Sequence, residues 1–340
     1  TEIYTLSLHD ALPIFCGEES MRELVSLDGD YFKCQRYTHI PGVDAIWRQI
    51  WPGVVADYPK LASSSAHLNG TPRSFVEAFA IYGRGTSLEQ AKWVMDHVLV
   101  RGINQFQMMA YLSSQEPSRR YFAPPDWHGS PQWSQFRLLS EYGNRASYLL
   151  SVGRPMAKIA IYYPTSSAWL RDYEPNRMAL AAAQGLLERQ RDFDFIDEQA
   201  LSAGVRVENG EFLNASDQAY GTVIIPKLAV ISAGAMGKLK TFARTGGKVI
   251  FLGGPPSLLV RKSFLTAAPF SEDLSWAIIE PTATLTEKVL AALPAPDVTL
   301  TPAAAPVKYL HRAWSDSELY FFFNESDREL ELDARLNGRG

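Results

Sequence analysis

The feature that most constrains the fold is a repeated alternation of short apolar segments with helical ones. His39–Trp47 (HIPGVDAIW), Ser74–Ala80 (SFVEAFA) and Ile103–Leu112 read as buried strands. Between them lie a small-residue helix, Pro59–Asn69, closed by Gly70, and an amphipathic helix, Leu88–Val100, capped by Thr86 or Ser87. Helical spacing also covers Glu18–Arg36 and Trp133–Val152. Apolar strands joined through helices must run parallel and be covered on both faces. Only an open doubly wound sheet or a (β/α) barrel satisfies that demand.

After Gly153-Arg154-Pro155 the alternation restarts. Strands are predicted at Ala157–Tyr163, Phe193–Ile196, Thr222–Pro226 and Lys248–Leu252, with helices at Asn176–Arg189 and Gly234–Arg244. This is an open parallel sheet of flavodoxin-like or Rossmann-like type. A Pro/Ala linker then leads to a terminal β segment, where Leu319–Phe323 and the alternating Glu329–Leu336 read as paired strands. A two-stranded hairpin is marginal by itself, so the segment reads as the start of a larger sheet and the chain as part of a longer protein. Residues 1–15 share no pattern with the helical spacing that begins at Glu18 and resemble translated sequencing-adapter read-through, so fold reasoning starts at Cys16.

Composition removes several classes of function. Lys plus Arg number 33 against 37 Asp plus Glu, a net charge of −4 without a basic run, which argues against nucleic acid. No apolar stretch approaches the about 18 residues of a membrane span. Two cysteines, Cys16 and Cys34, are too few for a disulfide framework or a cysteine zinc site. The chain has no GxGxxG after the strand ending at Tyr163, and neither cysteine lies in the second half, so dinucleotide binding and amidotransferase chemistry are disfavoured there. The second parallel sheet reads instead as structural or as an assembly surface for a homo-oligomer. The compartment is left open.

Glu77 is the sharpest candidate for chemistry, a lone carboxylate inside Phe75-Val-Glu-Ala-Phe79. Burying a charge there is costly without a partner or a cavity. Glycoside hydrolysis gives such a carboxylate a purpose: one carboxylic acid protonates the leaving oxygen while another activates water or attacks carbon. The plain alternative is an ion pair with Arg84 or Arg101. Asp44 and Tyr111 point to the same mouth in a barrel, where working groups sit beyond the C-terminal strand ends. Asp44 can bind sugar hydroxyls, hold a cation or cap a following helix. Glu116, in the long loop Ser113–Gln132, is a weaker second carboxylate or simply a solvated one. Trp127, His128 and Trp133, with Tyr121 and Phe122, would form a sugar-stacking wall or pack the loop down. His67, on the small-residue helix, is either a weak ligand-binding residue or a structural hydrogen-bonder.

Three runs in this order resemble the end of the barrel in α-L-rhamnosidases of glycoside hydrolase family 106 and their uncharacterised relatives: Lys60–Gly70 (KLASSSAHLNG), Val76–Phe79 (VEAF) and Gly102–Phe106 (GINQF). Asn144–Pro155 with Ile159–Pro164 resembles the junction into their next domain. Tyr309–Arg312 with Leu319–Asn324 resembles the start of their C-terminal β-sandwich. The resemblance implies a partial (β/α)8 TIM-type barrel over 16–153, with strands six, seven and eight near Val43, Val76 and Phe106. It implies next a Rossmann-like α/β domain over 154–293, then a linker with a truncated β-sandwich over 294–340. It further implies inverting hydrolysis of terminal α-L-rhamnosides, Glu77 at the seventh-strand carboxylate position, and a calcium ion near the site. Two other readings compete: a β-galactosidase-like family 42 glycosidase, and a non-catalytic carbohydrate-binding or assembly protein.

Overall fold

The structure, a computed structural model, describes residues 17–54, 56–109, 125, 127–262 and 266–338. The first region begins with two short helices, α1 (Met21–Leu27) and α2 (Tyr31–Gln35). Asp28-Gly29-Asp30 divides what the spacing presents as one helix, because Gly29 takes φ 76° and the Asp30 side chain caps α2 by accepting the Lys33 N–H. Next come strand β1 (Gly42–Ala45), helix α3 (Lys60–Asn69), β2 (Phe75–Ala78), α4 (Leu88–Leu99) and β3 (Gln105–Met108). Ser87 caps α4 in a capping box with Gln90, and Gly70 ends α3 in a left-handed conformation. The three strands form a parallel sheet in the order β1-β2-β3, with Val43, Val76 and Phe106 in one row. Helix α5 (Phe136–Ser151) closes the region.

A short strand, β4 (Arg154–Pro155), leads to β5 (Ile159–Tyr162), α6 (Thr165–Trp169), α7 (Glu174–Leu187) and β6 (Phe193–Ile196). A small antiparallel sheet, β7 (Arg206–Glu208), β8 (Glu211–Leu213) and β9 (Ala219–Tyr220), precedes β10 (Thr222–Pro226). Then come β11 (Val230–Ser232), α8 (Ala233–Arg244), β12 (Lys248–Leu252), β13 (Leu258–Val260), β14 (Ala267–Pro269), β15 (Ile278–Glu280) and α9 (Glu287–Ala292). Strands β6-β5-β10-β12-β15 form a five-stranded, all-parallel sheet. Counted along the chain that order is 2-1-3-4-5, the flavodoxin-like winding. Its two faces enter different cores. Ile161, Phe195, Ile224 and Ile250 join the core shared with the first region, whereas Ala160, Val223, Ile225 and Phe251 pack under α8.

The terminal strands are β16 (Val298–Thr301), β17 (Val307–Ala313), β18 (Glu318–Asn324) and β19 (Asp333–Leu336). Here the expected pairing of the last two strands is corrected. β18 pairs with β17, which also pairs with β4, and β19 pairs instead with β16. The cause lies in β17, where Tyr309 and His311 stack across the ladder on Tyr320. Among the described residues no helix is long and apolar enough to cross a membrane.

Two buried polar networks join the parts. At the first, α3 lies against β6, the edge strand of the five-stranded sheet, and Asp194 stands at the centre. Its carboxylate accepts from Ser64 (3.1 Å), Gln218 (2.8 Å) and Tyr220 (3.0 Å), and lies 3.0 Å from His67 Nδ1 and 3.6 Å from Lys60 Nζ. Lys60 is also paired with Asp192 at 2.8 Å. Burial pushes the Asp194 carboxyl up, but His67, Lys60 and these hydrogen bonds outweigh it and hold the pKa well below the ordinary value. At the second, Glu325 is held by Arg101 (2.8 Å), His97 (3.1 Å) and Lys308 (3.2 Å), while Arg101 also reaches Asp57 at 2.8 Å.

Asp194→Ala strips His67 of its carboxylate and leaves Lys60 with Asp192 alone in a dry interface, so the unfolding free energy at pH 7 should fall by about 3–5 kcal/mol in urea titrations. A loss below about 1 kcal/mol would show that the network contributes no net stability. The depressed pKa means this stabilisation is complete above the unfolded-state value and is lost as pH falls below it. The gap between wild type and variant should therefore narrow in acid.

Candidate active site

The parallel register places Asp44, Glu77 and Gln107 side by side in one row across β1, β2 and β3. Side chains alternate along a strand, and Val43, Ala45, Val76 and Ala78 belong to the core that includes α3 and α4. The row with Asp44 and Glu77 therefore occupies the opposite face, near the C-terminal strand ends. Phe75 lies one step earlier, its ring across Gly42, where an added Cβ would meet it at 2.0 Å.

Glu77 is 9% exposed, and burial alone raises its carboxyl pKa above the usual value. It makes no hydrogen bond or ion pair with the described residues, unlike Arg101, which is spent on Asp57, Glu325 and the His97 carbonyl. Arg84 is exposed. The ion pair offered as the plain alternative, at least with Arg101, is thus absent. Asp44 is 2% exposed, and no helix follows β1 directly, which removes its capping role. Neighbouring strands stand about 4.8 Å apart. An inverting pair needs its carboxyl groups roughly 6.5–9.5 Å apart to admit water.

Glu18 escaped sequence reasoning altogether. It is 3% exposed, and its carboxyl oxygens have no hydrogen-bond partner among the described residues. Burial, then the nearby Asp44 charge, pushes its pKa up to about 9 against a weaker opposing effect of nearby backbone. Glu18 is therefore a neutral acid at pH 7, beside Asp44. It also lines a cavity of about 430 Å³ with Tyr58, Tyr163, Arg177 and Gln184. That cavity lies between the first region and α7, with Glu19 and Asp57 also in its lining, and Glu77 does not line it.

The other predicted residues divide sharply. Gln132 accepts from the Leu88 N–H at the start of α4, which brings the segment from Trp127 to Trp133 to the same end of the sheet as Glu77. Within it Trp127 is 2% exposed, edge-on to Phe79 at 5.5 Å and against Phe136 at 5.4 Å, so it is core. His128 and Trp133 are exposed and stack at 4.6 Å. His67 faces Asp194 in the first polar network, away from the row. Tyr111 and Glu116, with Tyr121 and Phe122, lie outside the described residues. Among the described residues no group of three or more His, Cys, Asp or Glu side chains can hold a metal.

Backbone conformation marks the same end. Trp47 and Arg48 beyond β1, and Phe79 and Ile81 beyond β2, take positive φ of 57°, 56°, 81° and 61°. Each costs on the order of 1–3 kcal/mol, and such residues persist where surrounding structure imposes them, often at functional sites.

The protonated Glu18 carries a measurable signature. Its folded pKa lies above the unfolded one, so its contribution is intact below about pH 4.5 and erodes as pH rises toward 9. Glu18→Gln should gain stability over wild type with rising pH, by up to about 1.4 kcal/mol per unit in that window. Parallel stability curves for the two proteins between pH 5 and 9 would refute the assignment.

Comparison with known proteins places this geometry. A rhamnosidase structure from Novosphingobium sp. PP1Y matches with a TM-score of 0.63 and 19% identity, covering 87% of this chain and 30% of that one. A GH42 β-galactosidase from G. stearothermophilus matches at 0.59 and 13%, covering 88% and 55%. These likenesses establish a shared α/β fold with glycosidases. A putative beta-glucuronidase of Formosa agariphila is 25% identical over 216 residues, which is 61% of this chain and 18% of that protein. The chain thus spans under a fifth of that relative and less than a third of the rhamnosidase. Residues 16–340 match the glycoside hydrolase family 106 pattern, described as alpha-L-rhamnosidase, and the chain belongs to that family.

Proposed function

We propose that this chain contributes Glu77 to a glycosidase site that hydrolyses terminal α-L-rhamnosides with inversion. In this reading β1, β2 and β3 are strands six to eight of a (β/α)8 barrel over 16–153. The α/β domain over 154–293 is structural or an assembly surface, and 294–340 begins a β-sandwich. One observation carries the proposal: a buried carboxyl without a counter-charge among the described residues, at the C-terminal end of the central of three parallel strands. Removal from water brings its pKa toward working pH, which suits a group that gives or takes a proton at the glycosidic oxygen or the attacking water. The second carboxyl is Asp44, Glu116 or a residue outside this row. No calcium-dependent step enters.

The test is hydrolysis of nitrophenyl glycosides by the intact gene product. α-L-Rhamnoside should be the substrate, and Glu77→Gln should lower kcat by about 10²–10⁴-fold. The pH–rate profile should carry a limb above the ordinary carboxylate range that vanishes in the variant. A limb falling with rising pH marks a proton donor, and a rising one an acceptor. Full activity of Glu77→Gln overturns the role of that residue. Turnover of the β-galactoside in place of the rhamnoside overturns the rhamnoside reading in favour of the family 42 one.

A further inference from the structure

We infer that Trp47, on the rim beside the carboxylate row, is a stacking platform for a pyranose ring of the substrate, with Arg48 as a donor to the ring's hydroxyls. The inference rests on the proposed function for the identity of the sugar.

Trp47 lies three residues beyond Asp44, and its backbone N–H donates to the carbonyl of Ala80, three residues beyond Glu77, at 3.0 Å. Its side chain is 62% exposed, while Phe79 and Tyr82 on the neighbouring turn are fully buried. Among the described residues its indole face is therefore open to a ligand. The backbone that presents it is braced. The Phe79 N–H donates to the Ala45 carbonyl at 3.1 Å, and the Tyr82 hydroxyl to the Ile50 carbonyl at 2.7 Å. Arg48 Nε donates to the Tyr82 carbonyl at 2.9 Å, and its guanidinium lies 4.7 Å over the Trp51 ring. Arg48 is thereby fixed through one nitrogen, with its terminal amino groups unengaged by hydrogen bonds among the described residues. Trp47 and Arg48 both hold left-handed backbone, which bulky side chains adopt only where the surroundings impose it.

This is what a sugar platform requires. The C–H face of a pyranose packs on an aromatic face, and a braced residue loses little freedom on binding. A 6-deoxy sugar adds a methyl group to that apolar face. The fixed guanidinium offers planar donors at the ring's edge.

The experiment titrates the intact gene product with methyl α-L-rhamnopyranoside and, in parallel, methyl β-D-galactopyranoside. It reads calorimetric Kd and the Trp47 indole N–H resonance, assigned by its loss in Trp47→Phe. The resonance should move with rhamnoside, and Trp47→Ala should weaken binding about tenfold or more. Trp47→Phe, which keeps an aromatic face, should stay within about threefold. Trp47→Gly, suited to the left-handed backbone, should fold and bind as poorly as the Ala variant. In turnover, Trp47→Ala should raise KM with kcat little changed, unlike Glu77→Gln. Unchanged affinity in Trp47→Ala, a resonance that moves with neither sugar, or equal loss in the Phe and Ala variants overturns the platform. A resonance that moves only with galactoside keeps the platform and overturns the rhamnoside assignment instead.

Discussion

The contact on which the rest depends is the Asp194 carboxylate between α3 and β6. β6 is the edge of the five-stranded sheet, and an uncovered edge invites unwanted pairing. Here a helix from the other parallel sheet covers it. The helix is built of small residues, Ser63, Ser64, Ser65 and Ala66, so its backbone comes close enough for Ser64 to bond both Asp194 and the Phe195 N–H. The same closeness lets Ser63 reach the Arg101 carbonyl, 2.6 Å from where a Cβ on Gly102 would stand. One helix thus fixes the flavodoxin-like sheet on one side and the approach to β3 on the other. A purely apolar interface would bind as well but would tolerate sliding; saturated hydrogen bonds to one carboxylate do not.

The carboxylate row shows the opposite economy. Asp194 is surrounded by donors, whereas Glu77 and Glu18 are buried with few or none. A fold optimised for stability alone would replace these acids with apolar residues, and it would relax the positive φ at Trp47, Arg48, Phe79 and Ile81. Four of the non-glycine residues at positive φ lie just beyond two adjacent strand ends, while the helix-facing row of the same sheet is conventional Val and Ala.

Local patterns carried much of the fold into view. Thr86 or Ser87 marked the start of α4, where the structure selects Ser87, Gly70 marked the end of α3, and the apolar runs Phe193–Ile196, Thr222–Pro226 and Lys248–Leu252 matched their strands to the residue. Glu77 stood out because a lone acid in an apolar run is a local anomaly. What stayed hidden was set by distant partners. Glu18 has an ordinary polar context in sequence, and only packing near Asp44 makes it unusual. Trp127 and Trp133 look alike in one dimension, yet Phe79 encloses the first and leaves the second open. β19 pairs with the distant β16 and not with its neighbour β18, which lies at the edge of the sheet beside β17. Asn209-Gly210, both at positive φ between β7 and β8, is a local hairpin signal that sequence reading passed over.

The Glu325 network joins segments far apart along the chain. Arg101 and His97 sit at the end of α4, just before β3, and both are fully buried. Their shared counter-charge is more than two hundred residues further along the chain, on the stretch after β18. Without the stretch after β18, the buried Arg101 guanidinium would keep only Asp57 as a carboxylate partner. The corner where α4 turns into β3 therefore has its full charge balance only when β17 and the stretch after β18 are docked, and loosening that distant pair leaves Arg101 and His97 buried and short of a counter-charge.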